Sequence, residues 1–202
     1  MTTDTASTPR RRLLPWASGI AVALALGAFF WPGAAADFGY DRPALLRGEW
    51  WRLATAHWVH LKLGSLLWNL AVLIPASLWA EQIAPRRLRL LLLLAPWGIG
   101  AALFFLDPQV QVYTGLSAVV IAVLGFLTLT QLRTHTPDPW FWRSVLALLV
   151  LKIIVEFAAG RPTFAQTALA HLPVTPLADL AGLLCATIAA RRRKPELKGS
   201  GL

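Results

Sequence analysis

Residues 108–132 read PQVQVYTGLSAVVIAVLGFLTLTQL, a run without a single charge and with Gly115-Leu116-Ser117 near its head. A helix needs about 20 mostly apolar residues to cross the hydrocarbon core of a bilayer. The run therefore predicts a membrane helix with a serine close to its N-terminal end. Charges are equally absent from 13–36, 63–80 and 90–106. A fifth span, Phe141–Ala159, carries Lys152 and Glu156 in its interior, and a sixth, about Pro173–Ala190, has Asp179 as its only charge. The fold class expected is an all-α membrane protein, a bundle of six transmembrane helices.

Composition agrees with that expectation. Of 202 residues, 56% are hydrophobic and 14% charged, where a soluble domain carries about 25% charged residues. Six helices fill the chain from 10 to 190, leaving a polar, disordered N-terminus over 1–9 and a basic tail over 191–202. The first span is expected over about Leu13–Trp31 and the second over about Ala54–Ala80, entering the membrane near Lys62, with Pro75 kinking it or freeing a carbonyl. Pro85-Arg86-Arg87-Leu88-Arg89 reads as the turn before the third span, and Asp107-Pro108 as the turn before the fourth.

The net charge of +9 is a matter of topology. With the N-terminus inside, the inner segments hold 13 Lys and Arg residues, at 10–12, 86, 87, 89, 133, 143, 191–194 and 198. The outer ones hold five, Arg42, Arg47, Arg52, Lys62 and Arg161. Lys and Arg accumulate on the cytoplasmic side of membrane proteins, so both termini are expected in the cytoplasm. No basic face of the kind that binds nucleic acid is left outside these short loops. Arg10–Arg12, an apolar run and Ala34-Ala35-Ala36 imitate a cleavable signal peptide, but the run of about 19 residues exceeds the usual h-region and its removal would invert the charge bias. Cys185 is the only cysteine, so no intrachain disulfide forms.

Ionisable and polar groups inside a membrane span are costly and usually face a bundle interior or a cavity. Ser117 has two readings. It is a small residue in a helix–helix contact, or a nucleophile at a helix N-terminus whose unpaired N–H groups and dipole stabilise negative charge. Asn69 is either interhelical glue or a donor to an oxyanion beside Ser117. Asp179 needs a partner or water, with Gly182 and Ala186 following where small residues permit close helix packing. Lys152 and Glu156 stand one turn apart and pair with each other, with Lys152 or Arg161 as alternative partners of Asp179. His57 and His60 lack a third ligand nearby, so no metal site is expected. Trp50 and Trp51 beside Arg52 suit the headgroup zone.

At these residues the chain resembles the rhomboid intramembrane serine proteases, and more narrowly the small six-helix bacterial rhombosortase branch. Glu49-Trp50-Trp51-Arg52-Leu53 is similar to the Trp-Arg loop motif. Thr55–Leu70 fits the second-helix segment and places Asn69 on the oxyanion asparagine. Tyr113-Thr114-Gly115-Leu116-Ser117 matches the approach to the nucleophile. Lys152 and Glu156 resemble a pattern of the rhombosortase fifth helix. Ala178–Leu183 matches the last helix, where Ala-His-x-x-Gly is expected.

Three positions depart from the pattern. Asp179 stands where the family has its catalytic histidine, Ser65 where a histidine supports the oxyanion hole, and Ala118 where a glycine follows the serine. The resemblance implies Ser117 as nucleophile, Asn69 in the oxyanion hole, no cofactor and no metal. It implies a multi-pass protein of the bacterial inner membrane acting on a transmembrane segment. In the rhombosortase branch the substrates are exported proteins with a Gly-Gly, a hydrophobic helix and a basic tail.

The serine keeps the peptidase reading open, with Asp179 or His171 as the replacement base. An aspartate has an ordinary pKa near 3.9 and a shorter reach than imidazole. The alternative is a pseudoprotease that binds transmembrane helices without cutting them. A small transporter or channel is a third reading, for which inverted repeats or matched broken helices are not visible.

Overall fold

The computed structural model describes residues 14–134, 137–159 and 175–191. The N-terminus 1–9, the segment 161–173 with Arg161 and His171, and the tail after Arg191 lie outside the described residues.

Helix α1 runs Trp16–Phe30. A connecting segment follows, made of α2 (Ala34–Phe38), the two-residue strand β1 (Tyr40–Asp41), α3 (Arg42–Leu46), α4 (Arg52–Thr55) and a 3-10 turn over Ala56–Trp58. Then come α5 (Leu63–Ile83), α6 (Pro85–Leu106), strand β2 (Val112–Tyr113), α7 (Ser117–Leu132), α8 (Pro139–Ala159) and α9 (Pro176–Ala190). The two strands pair antiparallel, Tyr40 opposite Tyr113. By length and composition α5 and α6 are long and apolar enough to cross a membrane, while α1, α7 and α9 are shorter apolar helices.

Several boundaries differ from the hydropathy reading. The uncharged run 108–132 is helical only from Ser117. Its first part leaves helix because Tyr113 pairs with Tyr40 and because Gly115 takes φ +132°, a conformation that disfavours any side chain. The expected turn at 85–89 is already helix. Only Ala84 separates α5 from α6, and Pro85 occupies the first helical position, where its fixed φ and missing N–H are harmless. The helix of the second span begins at Leu63, beside Lys62 where entry into the membrane is expected, and 52–58 fold into the segment before it. Pro75 lies inside α5, which continues on both sides of it.

Helix α7 is the hub, packed against α5, α6, α8 and α9. Ala118, Val119, Ala122, Val123 and Phe126 are fully enclosed, consistent with a helix that is apolar all round. Small residues set its distance from α9. An added Cβ on Gly182 would meet the Ala118 carbonyl oxygen at 2.3 Å, and one on Gly125 would meet Leu183 and Ala186. Large apolar side chains such as Leu67, Leu93, Leu148 and Ile154 point away from the bundle, the face that lipid would cover. Glu81 of α5 fastens the start of α1, accepting from the Ala17 and Ser18 amides and from Ser18 Oγ at 2.7 Å, with Arg89 at 3.7 Å.

Candidate active site

The site is built where the connecting segment 34–58 meets the N-terminal end of α7. Arg52 ties that segment together. It is buried, its Nε donates to Glu49 at 2.7 Å, and its Nη1 donates to the carbonyls of Ala36 and Gly39 at 2.7 and 2.9 Å. Thr55 Oγ1 adds a bond to the Phe38 carbonyl at 2.8 Å. Arg52 thus satisfies buried carbonyls of a folded loop, while its neighbours Trp50 and Trp51 are half exposed. The motif that reads as an interfacial anchor is also an internal clasp.

That clasp positions the approach to Ser117. Gly115 N–H donates to the Ala56 carbonyl at 3.1 Å, and Tyr113 Oη donates to the Gly115 carbonyl at 3.0 Å. Burial, reinforced by the Asp179 charge, pushes the Tyr113 hydroxyl above its ordinary pKa, so it stays a donor. His57 is fully enclosed, its Nε2 lies 3.1 Å from the Pro96 carbonyl, and its ring meets Tyr113 edge-on at 5.3 Å. Desolvation lowers the His57 pKa to about 4, against the opposing pull of the Pro96 carbonyl. The imidazole is therefore neutral and donates through Nε2.

Ser117 opens α7, half-buried and with no side-chain cap on the helix N-terminus. Its Oγ donates to Asp179 Oδ1 at 3.4 Å, a long contact for a hydroxyl, where 2.5–3.0 Å is usual. Packing α9 on α7 through Gly182 brings the carboxylate to this distance from the serine. The other carboxylate oxygen, Oδ2, accepts from Lys152 Nζ, and the same ammonium donates to Glu156 Oε2 at 2.7 Å. Asp179 and Glu156 are each only 4% exposed. Of the two partners foreseen for Lys152, the structure uses both at once.

Asn69 is buried on α5. Its Nδ2 donates to the Ser65 carbonyl at 2.9 Å and faces His60 Nε2 at 3.4 Å. Burial lowers the His60 pKa, with the Trp58 carbonyl opposing. The neutral ring donates from Nδ1 to Trp58 at 3.2 Å, leaving Nε2 to accept from Asn69. Both contacts lie within α5 and the loop before it, and the first backbone N–H groups of α7 are further donors at the Ser117 end. Ser65 contributes its backbone here. His60 is the partner that sequence reading missed. It precedes Asn69 by nine residues, on the far side of a loop, and no helical spacing connects them.

Chemically, a hydroxyl, a carboxylate, an ammonium and a second carboxylate stand in series at a helix N-terminus. No cluster of three or more His, Cys, Asp or Glu suited to a metal occurs among the described residues. A family model described as the Rhomboid domain matches residues 47–192, which takes in every one of these groups. No curated protein matches the chain.

Proposed function

This chain belongs to the rhomboid family, whose members are integral membrane proteins acting on transmembrane substrates, and we propose that it holds transmembrane segments of exported or membrane proteins without cutting them. The observation that carries this reading is the Lys152–Asp179 ion pair at the position of the family's catalytic histidine. A general base must bind the serine proton as it leaves, and it works best with a pKa near the operating pH. A carboxylate whose other oxygen is held by an ammonium, and which reaches Ser117 only at 3.4 Å, is poorly placed to take that proton. The scaffold that presents Ser117 remains.

A second reading is favoured by the same contact seen from the serine. Ser117 Oγ points its bond at Asp179, so a peptidase with Asp179 as base is the competing function. In either case the topology we propose is six membrane spans within 10–190, with both termini and the tail 191–202 in the cytoplasm and the protein in a bacterial inner membrane. The asymmetry of Lys and Arg supports that orientation. The rhombosortase-like branch, with Gly-Gly-tailed partners, rests on the resemblance of Lys152, Glu156 and the 113–117 motif.

Labelling of the purified protein with a fluorophosphonate probe separates the two readings. The binding reading expects no labelling of the natural chain and Ser117-dependent labelling of Asp179→His. Labelling of the natural chain that vanishes in Ser117→Ala establishes the peptidase instead. A photo-crosslinking transmembrane peptide ending in Gly-Gly, an apolar helix and a basic tail should be captured whether or not Ser117 is present.

A further inference from the structure

The end of the bundle opposite Ser117 holds a cavity of about 400 Å³ between the α5–α6 turn and the C-terminal ends of α7 and α9. Its lining includes Arg86, Arg87, Arg133, Thr130 and Thr134 and, among the described residues, contains no carboxylate. Along α7, 16 residues long, about 24 Å of helix separates it from Ser117.

Three independent features at this cavity ask for the same thing. First, α6 begins here with no side-chain cap and no acidic residue in its first turn, yet that turn carries Arg86 and Arg87. Cations at a helix N-terminus oppose the macrodipole, whereas an anion there is stabilised by it. Left alone, this turn is electrostatically unfavourable, and a bound anion reverses the sign.

Second, no ion pair links Arg86, Arg87 or Arg133 to a carboxylate among the described residues. Glu81, the acidic group at this end of α5, is taken by Ala17, Ser18 and Arg89. Arg133 donates to the Ala190 carbonyl, which covers the negative end of α9 with a guanidinium. Third, Thr130 is 9% exposed, lines the cavity, and its Oγ1 has no hydrogen-bond partner. A buried hydroxyl without a partner is costly.

We infer that this cavity is a binding site for a phosphate-bearing anion, held by Arg86, Arg87 and Arg133, by the N-terminus of α6 and by the Thr130 hydroxyl. Arginine suits the role because its planar fork pairs with phosphate oxygens two at a time. The basic end of a membrane protein lies in the headgroup zone, where anionic lipids gather and basic pockets between helices bind their head groups. An anionic phospholipid and free phosphate share this chemistry, and the experiment distinguishes them. The site does not depend on whether Ser117 is active.

The test follows the unfolding temperature of the full chain in neutral detergent by tryptophan fluorescence. Phosphatidylglycerol, phosphatidylcholine and inorganic phosphate are added in separate titrations. Phosphatidylglycerol should raise the midpoint and phosphatidylcholine should not. Inorganic phosphate giving the same rise identifies the free ion as ligand, and no rise with phosphate identifies the lipid.

Apparent affinity should fall about fivefold for each arginine replaced, so Arg86→Gln weakens it and Arg86→Gln/Arg87→Gln/Arg133→Gln abolishes it. Thr130→Val should weaken it too and, like Arg86→Gln, leaves the Arg133–Ala190 bond in place should the triple variant fail to fold. Arg143→Gln, a basic residue of the same end stacked on Trp140 outside the cavity lining, should leave the shift unchanged. The inference is overturned if neither probe shifts the natural chain, if the shift survives both Arg86→Gln and Thr130→Val, or if Arg143→Gln diminishes it as much.

Discussion

Replacing Lys152 by methionine should destabilise the protein far more than replacing Asp179 by asparagine. The ammonium donates to both Asp179 and Glu156, and both carboxylates are buried. Two oxygens held by one nitrogen at ordinary charge-assisted distances lie within about 5.5 Å of each other. At an effective dielectric constant of about 20, like charges at that separation repel by about 3 kcal/mol.

Losing the cation exposes that repulsion and takes the shared ammonium away from two buried carboxylates, for a total of about 3–5 kcal/mol. For a chain of this length the midpoint should drop by about 6–20 °C. Asp179→Asn instead leaves the Lys152–Glu156 pair intact and removes one of the two repelling charges, so its loss should stay under about half of that. The double variant Lys152→Met/Asp179→Asn should recover about 2–3 kcal/mol relative to Lys152→Met, because a single carboxylate remains. Thermal unfolding in detergent, followed by tryptophan fluorescence, measures all four chains. Equal losses for the two single variants, or strictly additive losses in the double, would refute a shared ammonium.

Gly182→Ala should lower stability by about 2 kcal/mol or more, since its Cβ would fall 2.3 Å from the Ala118 carbonyl oxygen. Gly19→Ala in α1, where nothing lies within 4 Å of the new Cβ, should be neutral or stabilising by about 0.5–1 kcal/mol, and melting curves compare the two. Arg52→Ala should release the 34–54 segment by stripping the Ala36 and Gly39 carbonyls of their donor, seen as new cleavage there in limited proteolysis, while the same digest of Arg47→Ala stays unchanged.

His57, lowered to about 4 by burial, binds a proton more weakly folded than unfolded. Its contribution is therefore complete above about pH 6.5 and is lost as the pH falls from there towards 4. His57→Gln should flatten that part of the stability–pH curve, and an unaltered slope would remove His57 as its origin.

Sequence alone determined the class of solvent and the identity of the family. Uncharged runs the length of a bilayer need no tertiary information to be recognised, because the cost of burying a charge in hydrocarbon acts residue by residue. The motifs around Trp51-Arg52, Asn69, Gly115-Leu116-Ser117 and Gly182 lie close enough along the chain to be read as local patterns, and so does the absence of histidine at 179.

What only the tertiary structure decided are the contacts between segments far apart in the chain. The hydropathy of 108–132 gave no sign that its first nine residues would leave the helix, because that depends on Tyr40 pairing with Tyr113. Asn69 meets His60 across a turn with no helical spacing to betray it. Arg52 reads as a surface anchor until Ala36 and Gly39 are brought beneath it. Asp179 looks too short for Ser117 until Gly182 lets α9 approach the Ala118 carbonyl. The Lys152 ammonium joins Asp179 and Glu156 from two helices, and hydrophobicity, which is additive along a chain, carries no record of such a pairing. It is a property of directions and distances, and these exist only once the helices are packed.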